Sequence, residues 1–213
     1  MHFLSPLLEE YIAAHSEEEP QLLMELTRET YLKVVRPRMI SGHFQGRVLS
    51  LLSKIINPKN ILEIGTYTGY SAICLAEGIQ KNGELHTIDI NAELTDLQKR
   101  YFDKSGFGPQ IVQHTGDALK IIPNLDLTFD LIFIDAEKKE YPSYLEAVLK
   151  KVKSGSVILS DNVLWSGKVI EPLDAKDEAT KILLDYNKKL KEDHRLESVL
   201  LPIRDGLTVS RVL

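Results

Sequence analysis

The segment Lys59–Ser71, KNILEIGTYTGYS, constrains the fold more than any other stretch. Its apolar run, Ile61, Leu62 and Ile64, has the length of a buried strand and is too short for a helix. Gly65 breaks the run, a tight turn leads to Gly69, and SAICLAEGI continues with helical spacing. Strand, glycine turn and helix, in that order, present backbone at the carboxyl end of a first strand, where open α/β sheets bind ligands. The spacing G-x-x-x-G is not the G-x-G-x-x-G of dinucleotide folds. No Lys-Ser/Thr pair follows Gly69, as a phosphate-binding loop requires. Glu63, two residues before Gly65, is read at the mouth of the cleft, where an acid suits a cationic ligand such as an ammonium or a sulfonium.

From residue 60 the chain alternates. Runs at 60–65, 84–89, 110–115, 129–135 and 155–161 read as strands, and 69–80, 91–105, 117–122 and 142–152 as helices. Alternation of this kind, with strands apolar almost throughout, implies a parallel sheet covered by helices on both faces. A loop at 162–175 precedes a lysine-rich helix at 176–192. The runs LESVLLPI and GLTVSRVL then meet through Arg204-Asp205-Gly206, a hairpin signal. A sheet closed in this way gains an antiparallel strand, which a dinucleotide fold would not have.

Upstream, residues 4–35 read as two helices broken at Ser16–Pro20, with Leu22, Leu23, Leu26, Thr30 and Val34 on one face of the second. No strand precedes them, so residues 1–38 are read as a helical addition that covers the site or meets a second copy in a homodimer. Arg36-Pro37-Arg38 ends the addition, because the residue before a proline resists the helical region. Residues 39–43 are a linker and 44–56 a third helix. The chain, 1–213, is read as one domain.

Composition narrows the partners. A net charge of -5 gives no general reason to expect nucleic acid. The single cysteine, Cys74, excludes an internal disulfide, fits a reducing cytoplasm, and sits at a core position of its helix. Residues 1–15 carry acids early and no basic lead, against a secretory signal. No apolar stretch approaches the ~20 residues that span a bilayer.

The acids fall in register. Glu63 and Asp89 close the first two strands, Asp117 follows the third, Asp135 closes the fourth, and Asp161 closes the fifth with Asn162 directly after. Strand carboxyl ends share one edge of a parallel sheet, so these groups converge on one cleft. Any one of them is explained as a turn residue or helix cap; five together are not. Asp89 is placed to accept from ribose hydroxyls, or to cap helix 91–105 if Asn91 does not. Asp117 could accept from an adenine amine, with Ala118 contributing a backbone N–H. Asp135, Asp161 and Asn162 offer oxygen ligands only, a set that selects Mg²⁺, Mn²⁺ or Ca²⁺ over zinc. The histidines at 2, 15, 43, 86, 114 and 194 lack ligand spacing, and only His43 lies beside the cleft.

Three ordered motifs carry a family resemblance: Glu63–Ser71 (EIGTYTGYS), 129–141 (FDLIFIDAEKKEY) and 160–169 (SDNVLWSGKV). Together they resemble the cation-dependent class I O-methyltransferases of the caffeoyl-CoA and catechol type, from about Arg38 to the end. The resemblance implies a Rossmann-like fold with a seven-stranded, mostly parallel sheet and an antiparallel C-terminal strand. It makes 39–213 a core binding S-adenosylmethionine (SAM). Gly65, Tyr67 and Ser71, with Glu63, would line the methionine portion, and Met39 and Ile40 would close over it from the linker. Asp89 with Ile90 would hold the ribose, and Asp117 with Ala118 the adenine. Asp135, Asp161 and Asn162 match the metal ligands, Mg²⁺ foremost, and Lys138 matches the proposed general base. Trp165 would wall an aromatic substrate. The chain departs from the animal catechol enzymes in lacking an acid just before Asp205-Gly206, where it reads Leu201-Pro202-Ile203-Arg204. Ala136 and Glu137 follow the caffeoyl-CoA pattern.

Two functions follow. The first is methylation of one hydroxyl of a vicinal-dihydroxy aromatic. The second is methylation of a hydroxyuridine in tRNA with the same site, for which Arg28, Lys33, Arg36 and Arg38 would form the basic surface. A SAM-binding scaffold without catalysis fits the intact ligand set poorly.

Overall fold

The computed structural model describes residues 5–213; the expected helix start at residue 4 and His2 lie outside them. Two helices lead, α1 (Pro6–Ala14) and α2 (Gln21–Lys33), then a 3₁₀ turn at Pro37–Met39 and α3 (Gly42–Ile56). The alternating part follows as β1 (Asn60–Ile64), α4 (Tyr70–Ala76), β2 (Glu84–Asp89), α5 (Thr95–Ser105), β3 (Ile111–Thr115), α6 (Ala118–Ile121), β4 (Phe129–Ile134), α7 (Tyr141–Val148) and β5 (Val152–Asp161). The chain closes with α8 (Glu178–Glu192), β6 (Leu196–Leu201) and β7 (Leu207–Val212).

The strands form one seven-stranded sheet in the order β3-β2-β1-β4-β5-β7-β6. All neighbours are parallel except β7, which is antiparallel to both β5 and β6. The terminal hairpin therefore inserts its second strand beside β5, as the sequence indicates. Side chains alternate across the sheet. Ile61, Leu85, Leu131, Phe133 and Leu159 pack under α2, α3, α4 and α5, while Leu62, Ile64, Ile88, Ile132 and Ile158 pack under α6, α7 and α8. The doubly covered sheet explains why the strands read as near-continuous apolar runs.

Several boundaries differ from the sequence reading. The helix expected over 69–80 ends at Ala76, and at Gly78 just beyond it the chain lies so close to the Ser53 backbone that a Cβ would overlap it. Asn91 caps by accepting from the Glu93 N–H, but it opens a 3₁₀ turn (Ala92–Leu94) ahead of α5. The helix expected over 142–152 stops at Val148, and β5 begins at Val152, with a register shift against Phe129–Leu131 of β4. The loop after β5 holds a 3₁₀ stretch, Trp165–Ile170.

The α2 face read as covering the site or meeting a second copy packs in part on the chain itself: Leu23, Leu26 and Thr30 are buried. Glu29 of α2 fixes the docking by accepting from Arg100 and Tyr101 of α5. Exposed apolar side chains lie elsewhere on these helices, at Leu7, Leu8, Tyr11, Met24 and Leu32. No helix among the described residues is long and apolar enough to cross a membrane.

Candidate active site

The glycine turn sits where β1 leaves the sheet. Gly65 donates to the Ile88 carbonyl of β2, while Asp135 donates to the Ile64 carbonyl, so the turn is held between the ends of β2 and β4. Gly65 has φ +100, and a Cβ there would overlap the Asp135 carbonyl oxygen; no other residue fits. Asp89 Oδ2 accepts from the Thr66 and Tyr67 N–H groups (3.0 and 2.7 Å) and Oδ1 from Asn91 N–H (2.9 Å). Asp89 thus first secures the turn, and Oδ1 keeps a lone pair for one hydroxyl donor. Tyr67, at φ +49, presents its hydroxyl to the Val35 and Arg36 carbonyls and ties the turn to the linker.

Glu63 is not at the cleft mouth. It lies on the same sheet face as Ile61, is fully buried, and accepts from the Thr87 hydroxyl at 2.5 Å. Burial pushes its carboxyl up to about 8, against the pull of the Ser71 and Thr87 hydroxyls. A largely protonated carboxyl has no full charge to offer a sulfonium. Its strand position explains this: alternation sends it into the layer beneath α4, toward Ser71 in that helix's first turn. Asp117 caps α6 through the Leu119 N–H (2.9 Å), and Ala118 is buried behind it. Ile40 is buried, whereas Met39 and Ile90 are exposed.

The second group forms where β4 and β5 end. Ile134 pairs with Ser160, so Asp135 and Asp161 leave the sheet side by side. Asp161 is 2% exposed. Burial and then the Asp135 charge push its carboxyl up to about 7, opposed by Lys138, Gln45 and the Asn162 N–H. Asn162, at φ +58, follows directly, and its carboxamide has no hydrogen-bond partner among the described residues. Lys138, buried itself, donates to Asp135 Oδ1 (3.1 Å) and to the Tyr141 hydroxyl (2.6 Å). That hydroxyl lies 2.9 Å from the Asp161 carbonyl, to which it donates. Burial raises Tyr141 well above the usual phenol range, so it remains a neutral donor.

The loop after Asn162 is braced by the β6–β7 connection, which lies at the same edge of the sheet because β7 runs antiparallel beside β5. Asp205 accepts from Ser166 N–H through its carboxylate and from Leu164 N–H through its carbonyl, and the Gly206 carbonyl accepts from Val163 N–H. Trp165, Ser166 and Gly167 are all left-handed (φ +50, +54, +85). Trp165 is half-buried against the α7–α8 layer, and its indole N–H is buried without a partner. His43 does not enter the site: a ring nitrogen bonds the Glu17 carbonyl at 2.6 Å.

Three residues at the site escaped the sequence reading. Gln45 Nε2 donates to Asp161 Oδ2 at 2.6 Å, and Arg204 Nη1 donates to Gln45 Oε1 at 2.8 Å. Tyr141 lies under Lys138 with the ammonium 4.6 Å from its ring centre. A signal existed for Gln45, a carboxamide at the buried spacing of Leu49 and Ser53 on α3.

The donor set fits the groups that the family resemblance implies. No cluster of three His, Cys, Asp or Glu forms a metal site among the described residues. Asp135 and Asp161 end neighbouring strands and Asn162 follows directly, so two carboxylates and a carboxamide leave one edge of the sheet, a hard-donor set suited to a divalent ion. Burial and the neighbouring Asp135 charge raise the Asp161 carboxyl, and the one ammonium beside them, Lys138, donates its hydrogen bond to the half-buried Asp135. On the nucleoside side, the half-exposed Asp89 beside a Cβ-free turn suits a ribose.

Comparison with known proteins bears on this geometry. The family model described as O-methyltransferase matches residues 13–213. The chain is 34% identical to the caffeoyl-CoA O-methyltransferase of Petroselinum crispum, covering 97% of this chain and 91% of that one. It is 36% identical, with the same coverage, to caffeoyl-CoA O-methyltransferase 5 of Nicotiana tabacum. Among solved structures, the Bacillus cereus O-methyltransferase in complex with SAH superposes with a TM-score of 0.89 at 27% identity, covering 97% of each chain. TomG of Streptomyces achromogenes, an O-methyltransferase of tomaymycin synthesis in complex with SAM, gives 0.87 at 28% identity, covering 97% of this chain and 96% of that one.

Proposed function

The chain belongs to the O-methyltransferase family, and from that premise we propose that it moves a methyl group from SAM to one hydroxyl of a vicinal-dihydroxy aromatic, with a divalent cation held by Asp135, Asp161 and Asn162. The observation that carries the reading is the pairing of Asp135 and Asp161 around the Lys138 ammonium, next to the glycine turn. SAM supplies the methyl on a sulfonium. A divalent ion, when bound, orients two adjacent hydroxyls and lowers the pKa of the one that attacks.

The chain's own residues do the rest. Methyl transfer needs an oxygen in line with the methyl carbon, so holding the two together is a large share of catalysis. The Gly65 turn, secured by Asp89, fixes the donor side, with Ser71 and Tyr67 in reach of the methionine portion. Met39 and Ile40 cover it from the linker, Ile90 flanks Asp89, and Asp117 with Ala118 receives the base. Asp135 and Tyr141 hold Lys138 Nζ in one direction, where it stabilises the phenolate or accepts its proton. Trp165 forms the wall for the aromatic ring. Mg²⁺ is the favoured ion, with Mn²⁺ or Ca²⁺ as substitutes. A homodimer through α1 and α2 is part of the reading, supported by the exposed apolar side chains there. A reducing, cytoplasmic setting suits the buried Cys74 thiol.

The test is a substrate panel with labelled SAM and Mg²⁺: caffeate, catechol, a mono-methylated catechol, and tRNA containing hydroxyuridine. One methyl per catechol and none on the mono-methylated ring is the expected result. Tight SAM binding with transfer to tRNA alone, weakening as salt rises, would replace the catechol reading with the tRNA one.

A further inference from the structure

Gln45 is 1% exposed on the inner face of α3, where a leucine would fill the space. Its carboxamide is used at both ends: Nε2 donates to Asp161 Oδ2 and Oε1 accepts from Arg204 Nη1. The same Nη1 also donates to the Ile40 carbonyl (3.2 Å) and to the Ser41 carbonyl. Arg204 stands at φ +49 in the β6–β7 connection and forms no ion pair with a carboxylate among the described residues. Three segments distant in sequence, 40–45, 161 and 204, thus meet through one guanidinium nitrogen and one amide.

The chemistry gives this chain of contacts a direction. Arginine has donors only, so its presence at Gln45 forces the amide to turn its oxygen toward residue 204 and its NH₂ toward Asp161. Reversed, the amide oxygen would face a carboxylate. With Nε2 on Oδ2 and the Asn162 N–H on Oδ1, each Asp161 oxygen has one donor and keeps a second lone pair. We propose that Arg204 and Gln45 are positioning residues that set the 40–41 linker and the Asp161 carboxylate in one hydrogen-bonded arrangement, so that the cofactor side and the cation side of the site are seated together. The proposal rests on the reading of Asp161 as a cation ligand. It differs from a purely structural tie, which would hold the linker without needing Asp161.

Binding of Mn²⁺ alone, followed by electron paramagnetic resonance, separates these cases without any turnover. Asp161→Asn serves as the reference for lost binding. Gln45→Met and Arg204→Met are expected to weaken Mn²⁺ binding by about 10- to 100-fold, the usual effect of removing a residue that orients a ligand. Arg204→Lys, which keeps a donor, is expected to recover most of it. Amide exchange over residues 39–43 is expected to quicken in Arg204→Met. Residue 204 is exposed, so its variants test the idea even where Gln45→Met fails to fold. Wild-type Mn²⁺ affinity in both Met variants, with affinity lost in Asp161→Asn, would overturn the relay and leave the cation site standing. Undiminished affinity in Asp161→Asn would overturn both.

Discussion

Glu77 at the end of α4 and Asp161 at the end of β5 are both carboxylates held in polar clusters, and their surroundings are opposite. Glu77 takes both ends of the Arg47 guanidinium (3.0 and 2.7 Å), the Ser50 hydroxyl and the Lys54 ammonium. Burial pushes it up, yet these donors more than offset that and hold it down to about 2. Two cations serve one acid, and the result clamps α3 to α4. At the strand ends the ratio inverts. Asp135 and Asp161 share the Lys138 ammonium, Glu63 lies nearby with no cation at all, and burial holds both Asp161 and Glu63 high. An excess of acid that the fold leaves uncompensated, beside a glycine turn at the binding edge of an α/β sheet, is where the proposed external cation would be held.

Asp161→Ala attacks the second cluster directly. Loss of a cation ligand removes several kcal/mol of charge stabilisation, so transfer to a catechol is expected to fall by about 10³ or more. Initial rates against a matched unfolding curve check that the fold survives. Lys138→Met is expected to lower kcat by about 10²-fold, the usual share of a positioned proton acceptor, with SAM affinity little changed. Glu77→Gln should do the reverse: about 2 kcal/mol of stability lost in urea unfolding, with near wild-type kcat per folded molecule. A collapse of activity in folded Glu77→Gln, or of stability in Lys138→Met, would erase the contrast between the clusters.

Glu63 gives the smallest and most specific effect. Its folded pKa, about 8, lies above its ordinary value of 4.5. The native state therefore keeps a proton that the unfolded chain releases. The associated stability is full below about 4.5 and is lost as the pH rises to 8. Glu63→Gln removes that term, so the fall in Tm between pH 5 and pH 8 should be shallower in the variant than in the wild type. Equal slopes would mean that Glu63 ionises normally.

What could be read from the sequence follows from distance along the chain. The glycine turn, the strand–helix alternation and the hairpin at Arg204–Gly206 are local signals, and each became the element expected. The closeness of Asp135 and Asp161 was also legible, because both end neighbouring parallel strands. Glu63 was misplaced because its acidity was weighed and its strand face was not: it shares a face with Ile61, which points into the core. Gln45 and Arg204 were missed for another reason. Their partners lie more than a hundred residues away: the spacing of Gln45 with Leu49 and Ser53 marks it as buried, but neither it nor an Arg in a turn carries a local mark of such a partner. The α2 face was legible as apolar, but whether it meets the chain's own α5 or a second copy is decided by packing that periodicity does not encode.

The most direct test of the cation account is methyl transfer from SAM to caffeate, measured with Mg²⁺, after EDTA, and after EDTA with Mg²⁺ restored. Loss of transfer in EDTA, full recovery with Mg²⁺, and no recovery in Asp161→Ala are expected. An unchanged rate in EDTA would contradict it: the acid excess at the strand ends would then serve the protein without a metal, and Lys138 alone would have to activate the hydroxyl.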